Sequence, residues 1–179
     1  VISAATGNAG SILVADDDAR YRRLLHDLLT AKGYLVMESA DGEQALAAVR
    51  RTPPDVILLD IMMPRMDGVE ACQRLKQDAE LAGIPVIFLT ALDDKDTIVK
   101  AFNAGAADFV TKPFDGREVL ARVGTHVEIH RNRLKVQEYA RQLKEKLDRA
   151  EEDEEAGRTV QFKLLPKETL RLGNCEFCS

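Results

Sequence analysis

Through the first two thirds of the chain, short unbroken apolar runs alternate with stretches whose apolar residues recur at helical spacing. Ile12–Ala15 is an apolar run that stops at three consecutive aspartates. From Ala19 to Lys32, Leu24, Leu25, Leu28 and Leu29 repeat with a helical period, and Gly33 supplies a stop. Leu35–Glu38 is a second run. Gly42–Arg51 reads as a helix with Ala45, Leu46 and Val49 on one face, ended by Pro53-Pro54. Val56–Leu59 is purely apolar, the pattern of a strand covered on both faces. Val69–Gln77 is helical, Pro85–Leu89 is a fourth strand, Asp94–Ala104 is a helix ended by Gly105, and Phe109–Val110 is a short fifth strand before Lys112-Pro113. Strands alternating with helices predict an α/β domain: a parallel sheet with helices on both faces, joined by right-handed crossovers.

From Gly116 the pattern changes, and no further strand is predicted. Leu120, Val123 and Val127 form one apolar stripe suited to packing on the sheet as a fifth helix. Beyond them Ile129, Val136, Ala140, Leu143, Leu147 and Ala150 fall on an a/d-like repeat among Arg, Lys, Glu and Gln. The change of register marks where the helix leaves the domain. A lone helix folded back on the domain is one reading; a self-associating coil over 129–150 accounts better for an apolar face that needs a partner. The acidic run Glu151–Glu155 and Gly157 are expected to weaken or break the helix.

A net charge of −5 argues against a broad nucleic-acid surface. No apolar run approaches the ~20 residues that span a bilayer, so no membrane segment is expected. Three cysteines are too few for a disulfide framework, and a cytoplasmic setting fits them best. The small, polar, glycine-containing start reads as a disordered leader over residues 1–10.

Ligands of open parallel sheets sit outside the carboxyl ends of the strands. Asp16, Asp17 and Asp18 follow the first strand, Asp60 ends the third, Thr90 ends the fourth and Lys112 follows the fifth. Clustered carboxylates make a hard oxygen site suited to Mg²⁺. A carboxylate nucleophile can form an acyl phosphate, with a metal and Lys112 offsetting phosphoryl charge and Thr90 donating to a phosphoryl oxygen. A lone Asp after a strand is more often a helix cap, which is the reading for Asp18. His26, His126 and His130 are scattered on helices and carry no predicted role, and Cys175-Glu-Phe-Cys178 lacks the second pair of a metal site.

The strings ILVADDD, VILLDIMMPRMDG, PVIFLTA and DFVTKPF resemble, in order and spacing, the signature segments of response-regulator receiver domains over about residues 11–127. The resemblance implies a flavodoxin-like, doubly wound five-stranded parallel sheet of order 2-1-3-4-5. It also implies that Asp60 is phosphorylated, that Asp16 and Asp17 with the Met62 carbonyl hold Mg²⁺, and that Asp17 is the direct ligand while Asp16 acts through water. Thr90 and Lys112 would read the phosphoryl group, Phe109 would turn inward when Thr90 engages it, and Lys112-Pro113 would be cis. Ala91 leaves the approach open, and Met62 stands where many relatives carry a polar residue that influences dephosphorylation. The donor would be a histidine kinase or a histidine phosphotransfer protein.

The tail VQFKLLP (160–166), followed by Gly173, resembles the opening of PPM-type serine/threonine phosphatase domains. On that reading residues 128–156 are a coiled-coil linker, 157–179 begin an incomplete output domain, and the chain itself is not an enzyme. Three readings stay open: a receiver controlling a phosphatase in cis, a receiver whose coil is itself a protein-binding output, and a structural coil with a degenerate receiver. The intact acidic set weighs against the third.

Overall fold

Among the described residues the polypeptide builds five strands and five helices in strict alternation. The computed structural model describes the backbone of residues 9–91 and 95–164 and the side chains of 9–91 and 99–149. Leader residues 1–8, the expected helix start at Asp94, and the tail from 165 onward with Gly173, Cys175 and Cys178 lie outside the described residues. In chain order the elements are β1 (Gly10–Ala15), α1 (Ala19–Thr30), β2 (Tyr34–Ser39), α2 (Gly42–Arg51), β3 (Val56–Asp60), α3 (Gly68–Gln77), β4 (Val86–Ala91), α4 (Lys95–Asn103), β5 (Asp108–Lys112) and α5 (Gly116–Leu164). The strands form one parallel sheet of order β2-β1-β3-β4-β5, the predicted flavodoxin-like arrangement.

Because successive strand residues point to opposite faces, each central strand feeds two cores. Leu13, Ala15, Ile57, Leu59, Val86 and Phe88 pack beneath α2, α3 and α4. Ile12, Val14, Val56, Leu58, Ile87 and Leu89 pack beneath α1 and α5. Every residue of β3 is buried, which is why its sequence shows no polar alternation. On α1 only Leu25 and Leu29 are fully buried, and Leu24 faces outward.

Asp18, Asp41 and Asp67 cap α1, α2 and α3, each accepting from a backbone N–H of the first turn. Gly10, expected in the leader, is the buried first residue of β1. Its φ is 148°, and a Cβ there would lie 3.2 Å from both Asp55 Oδ2 and Val127 Cγ1.

Packing of α5 continues past Val127. Val119, Val123, Val127 and His130 are buried, and Arg131 grips Asp55 through Nε and Nη2, each at 3.0 Å. Asp55 also accepts from Ser11 N at 2.8 Å. The compact unit accordingly runs to Leu134 rather than to the expected 127, and a second unit starts at Lys135. That second unit is helical through Leu164 and exposes Val136, Tyr139, Leu143 and Leu147. Gly157, expected to weaken or break the helix, lies inside α5. One glycine costs only about 1 kcal/mol of helix propensity, and strong helix formers flank it.

Candidate functional site

Parallel register brings the distant acids level. Ala15 pairs with Leu59, so Asp16 and Asp60, each one residue further on, emerge side by side at the carboxyl edge of the sheet. Asp16, Asp17 and Asp60 each offer a carboxylate oxygen, all within 4.8 Å of one another. Asp16 is fully buried, Asp60 nearly so, and Asp17 is exposed. Lys112 comes from the end of β5, where Ala91 is its partner on β4. Its Nζ donates to Asp16 Oδ2 at 2.6 Å and lies 3.2 Å from Asp60 Oδ2.

Three carboxylates and one ammonium leave the cluster short of positive charge. Burial pushes the Asp60 carboxyl up to about 6; Lys112 opposes this, while Asp16 and Asp17 reinforce it. For Lys112, burial works against the charge, but the bonds to Asp16 and Asp60 outweigh it and hold the ammonium above its usual value. This hard-oxygen donor set, with its excess negative charge, fits a magnesium ion.

Several groups fix the cluster. Asp16 Oδ1 accepts from Asp18 N at 2.9 Å, and Arg22 Nη1 donates to the Asp16 carbonyl at 2.6 Å and the Asp17 carbonyl at 3.1 Å. The loop after β3 turns back through Gly68, whose N–H donates to the Ile61 carbonyl at 2.9 Å. A Cβ on Gly68 would collide with the Asp60 carbonyl oxygen, so only glycine allows this approach of α3 to β3. Arg65, at φ 67°, pairs with buried Asp41, and Gly42 N donates to the Met66 carbonyl at 3.3 Å, tying the loop to α2.

Of the other predicted site residues, Thr90 is buried at the end of β4, with its Oγ1 donating to the Ala91 carbonyl at 3.3 Å. Phe109 is half-buried on β5 and meets Phe102 of α4 edge-on, ring centroids 5.8 Å apart. The Met62 side chain is exposed, and Lys112-Pro113 is cis. Asp18 caps α1, and the three histidines stand apart from the acids: His26 beside Glu38, His126 beside Asp108, His130 against Gly83. Tyr21 escaped the sequence reading. Its ring lies 4.5 Å from Lys112 Nζ and packs on Phe114, shielding the ammonium by a cation–π contact. Tyr21 is part-buried one turn before Leu25 on the core-facing side of α1, and helical periodicity gives no sign of a partner on β5.

Comparison with known proteins agrees with this geometry. Residues 12–124 match the response regulator receiver domain family. The response regulator PleD of Caulobacter vibrioides is 47% identical over 112 residues, covering 63% of this chain and 25% of that protein. The DNA-binding dual master transcriptional regulator RpaA of Synechocystis is 44% identical over 112 residues, covering 63% and 46%. The matched stretch thus spans half or less of each of these curated relatives. Among solved structures, the receiver domain of Francisella response regulator 1452 superposes with a TM-score of 0.62 at 31% identity, covering 66% of this chain and 97% of that one. The signal receiver domain of a histidine kinase from Syntrophus aciditrophicus gives 0.63 at 34%, covering 66% and 90%. Among the described residues no helix is long and apolar enough to cross a membrane. An acidic triad typical of the receiver Mg²⁺ site, the order of the sheet and the matched segments converge: the chain belongs to the response regulator receiver domain family, whose members accept a phosphoryl group from histidine kinases.

Proposed function

We propose that this chain is a response regulator in which Asp60 accepts a phosphoryl group from a phosphohistidine donor, a histidine kinase or a histidine phosphotransfer protein. The observation that carries the reading is Lys112 Nζ set between Asp16 and Asp60 in a three-carboxylate cluster at the sheet edge. An Asp60 carboxylate oxygen bonds to phosphorus while the phosphorus–nitrogen bond breaks, its electron pair returning to the donor imidazole. Asp16, Asp17, Asp60 and the Met62 carbonyl would hold Mg²⁺, which supplies charge neutralisation for the phosphoryl oxygens. Lys112 moves its bond from Asp60 to the new phosphoryl group, and Thr90 turns its hydroxyl from the Ala91 carbonyl toward it. Phe109, released from its edge contact with Phe102, follows Thr90 inward and alters the α4-β5-α5 face.

That face leads along α5 to the exposed apolar row Val136, Leu143 and Leu147, which supports a coil that dimerises over 129–150 and transmits the change. Typical couplings of ~1–3 kcal/mol suffice for such a response. The output proposed is a PPM-type phosphatase, a reading that rests on VQFKLLP alone; the family match ends at residue 124. The exposed apolar row favours a second reading, in which the coil itself binds the target. We place the protein in the cytoplasm, the compartment of its proposed kinase partners.

Incubation with acetyl phosphate and Mg²⁺ tests the central step by intact mass. A phosphate-sized gain on the wild type and none on Asp60→Ala is expected. Equal gain on both, or none on the wild type, removes Asp60 as acceptor.

A further inference from the structure

At the opposite edge of the sheet, where β4 and β5 begin, α5 faces the end of α3 across a cavity of about 310 Å³. That is the size of small-ligand pockets, which start at roughly 300 Å³, and about ten times one water's share of liquid volume. Lys76, His126, His130 and Arg133 line it, together with small and apolar groups including Gly83 and Ile129, and among the described residues no carboxylate does. Two permanent cations, Lys76 and Arg133, thus share one cavity with two imidazoles and no acid, an arrangement that a bound anion would complement.

Their bonding points the same way. Lys76 Nζ gives two of its three protons to the carbonyls of Ala82 at 3.0 Å and Ile84 at 2.6 Å, neutral acceptors that leave the charge uncompensated. His126 is already paired with Asp108, which Arg122 also binds. His130 is 93% buried; the Gly83 backbone bonds its ring, and Nδ1 has no hydrogen-bond partner. The Arg133 guanidinium lies against Gly83, where a Cβ would come within 3.6 Å of Nη2, and it makes no hydrogen bond or ion pair among the described residues. A buried unpartnered nitrogen, an unpaired guanidinium and a half-buried ammonium therefore surround the same volume.

We propose that this cavity binds a small organic anion, a carboxylate or phosphomonoester with a short apolar body, held by Lys76, His130 and Arg133. Phosphate or carboxylate oxygens accept from Arg133 and Lys76, and Ile129 covers the apolar part of the ligand. Burial alone favours neutral His130; the anion's charge offsets this, so the ring binds protonated, with Nδ1 donating to the ligand. The site lies at the amino edge of the sheet, away from Asp60, and draws His126, Ile129, His130 and Arg133 from α5. Occupancy therefore fastens α5 to the sheet by a route that does not pass through phosphorylation.

The test follows histidine and arginine side-chain resonances of the full chain, in EDTA and at constant ionic strength, during titration with citrate, glycerol 3-phosphate and neutral glycerol. Citrate or glycerol 3-phosphate is expected to give saturable shifts at His130 and Arg133, and glycerol none; the better of the two anions identifies the headgroup. Arg133→Gln, an exposed position that leaves the core intact, is expected to weaken binding roughly tenfold, the weight of one charge-assisted hydrogen bond. Lys76→Met is expected to do the same, while phosphorylation by acetyl phosphate stays at the wild-type level in both variants. Absence of saturable shifts, equal shifts with glycerol, shifts confined to histidines and arginines outside the cavity, or unchanged affinity in Arg133→Gln would overturn the proposal.

Discussion

At the scale of single residues, Asp60 is costly to bury as an anion, and its pH dependence follows from that. Its carboxyl sits at about 6, against 3.8 for the free group, chiefly because of burial. Between these values the folded protein holds a proton that the unfolded chain has released. This residue's contribution to stability is therefore most favourable below pH 3.8 and is lost as the pH rises through about 6. Without metal, Asp60→Asn is expected to stabilise the protein at pH 7 by up to about 3 kcal/mol, with the gain shrinking toward pH 4. Urea unfolding of both proteins in EDTA measures it, and an equal gain at both pH values contradicts the cause given. Added Mg²⁺ is expected to raise the wild-type midpoint more than that of Asp60→Asn, because Asp60 contributes to binding only in the folded state.

Between elements, two junctions hold the domain in shape. At the first, α3 starts against the end of β3 with no room for a side chain at Gly68. Gly68→Ala forces α3 from β3 and is expected to cost ~1–3 kcal/mol, as overpacking does. It should also slow acetyl phosphate labelling, since the displaced backbone belongs to the acceptor; unchanged stability and labelling would contradict the tight junction. At the second, Asp55 joins β1 to α5. Burial alone would raise its pKa, but the bonds from Arg131 and Ser11 prevail and lower it. Its stabilisation is thus present above the ordinary carboxylate pKa and lost as the pH falls through the lowered one. Asp55→Asn is expected to cost ~1.5–3 kcal/mol at neutral pH, the weight of hydrogen bonds to charged groups. The loss should fade in acid, and comparison of the two denaturation midpoints at neutral and acid pH checks this.

For the whole molecule, the exposed row along the later part of α5 is the feature that a receiver domain does not need for its own folding. Val136, Leu143 and Leu147 are each more than half exposed, while Arg141 pairs with Glu138 and Glu145 along the helix surface. Intrahelical pairs of this kind contribute only a few tenths of a kcal/mol each, so the apolar row provides the larger drive to associate. Light scattering of the full chain is expected to give a dimer, and Val136→Glu with Leu143→Glu a monomer. A monomeric wild type would refute the coil, and a dimeric double variant would move the interface elsewhere.

The order of elements, the two-faced burial of β3 and the acids at strand ends were legible in the sequence, because periodicity and strand-end position are local properties. The motif strings carried Asp16, Asp17, Asp60, Thr90 and Lys112 for the same reason: each sits at a recognisable place relative to its own strand. Only the tertiary structure decided that Lys112 bridges Asp16 to Asp60, that Tyr21 covers it, and that Gly68 touches the Asp60 carbonyl. It also placed the end of α5 packing at Arg131 and Leu134 rather than at Val127, and gathered Lys76, His130 and Arg133 around one cavity. Each of these depends on the distance between residues far apart in the chain. That distance is set by sheet register and helix packing, which no local pattern of residues records.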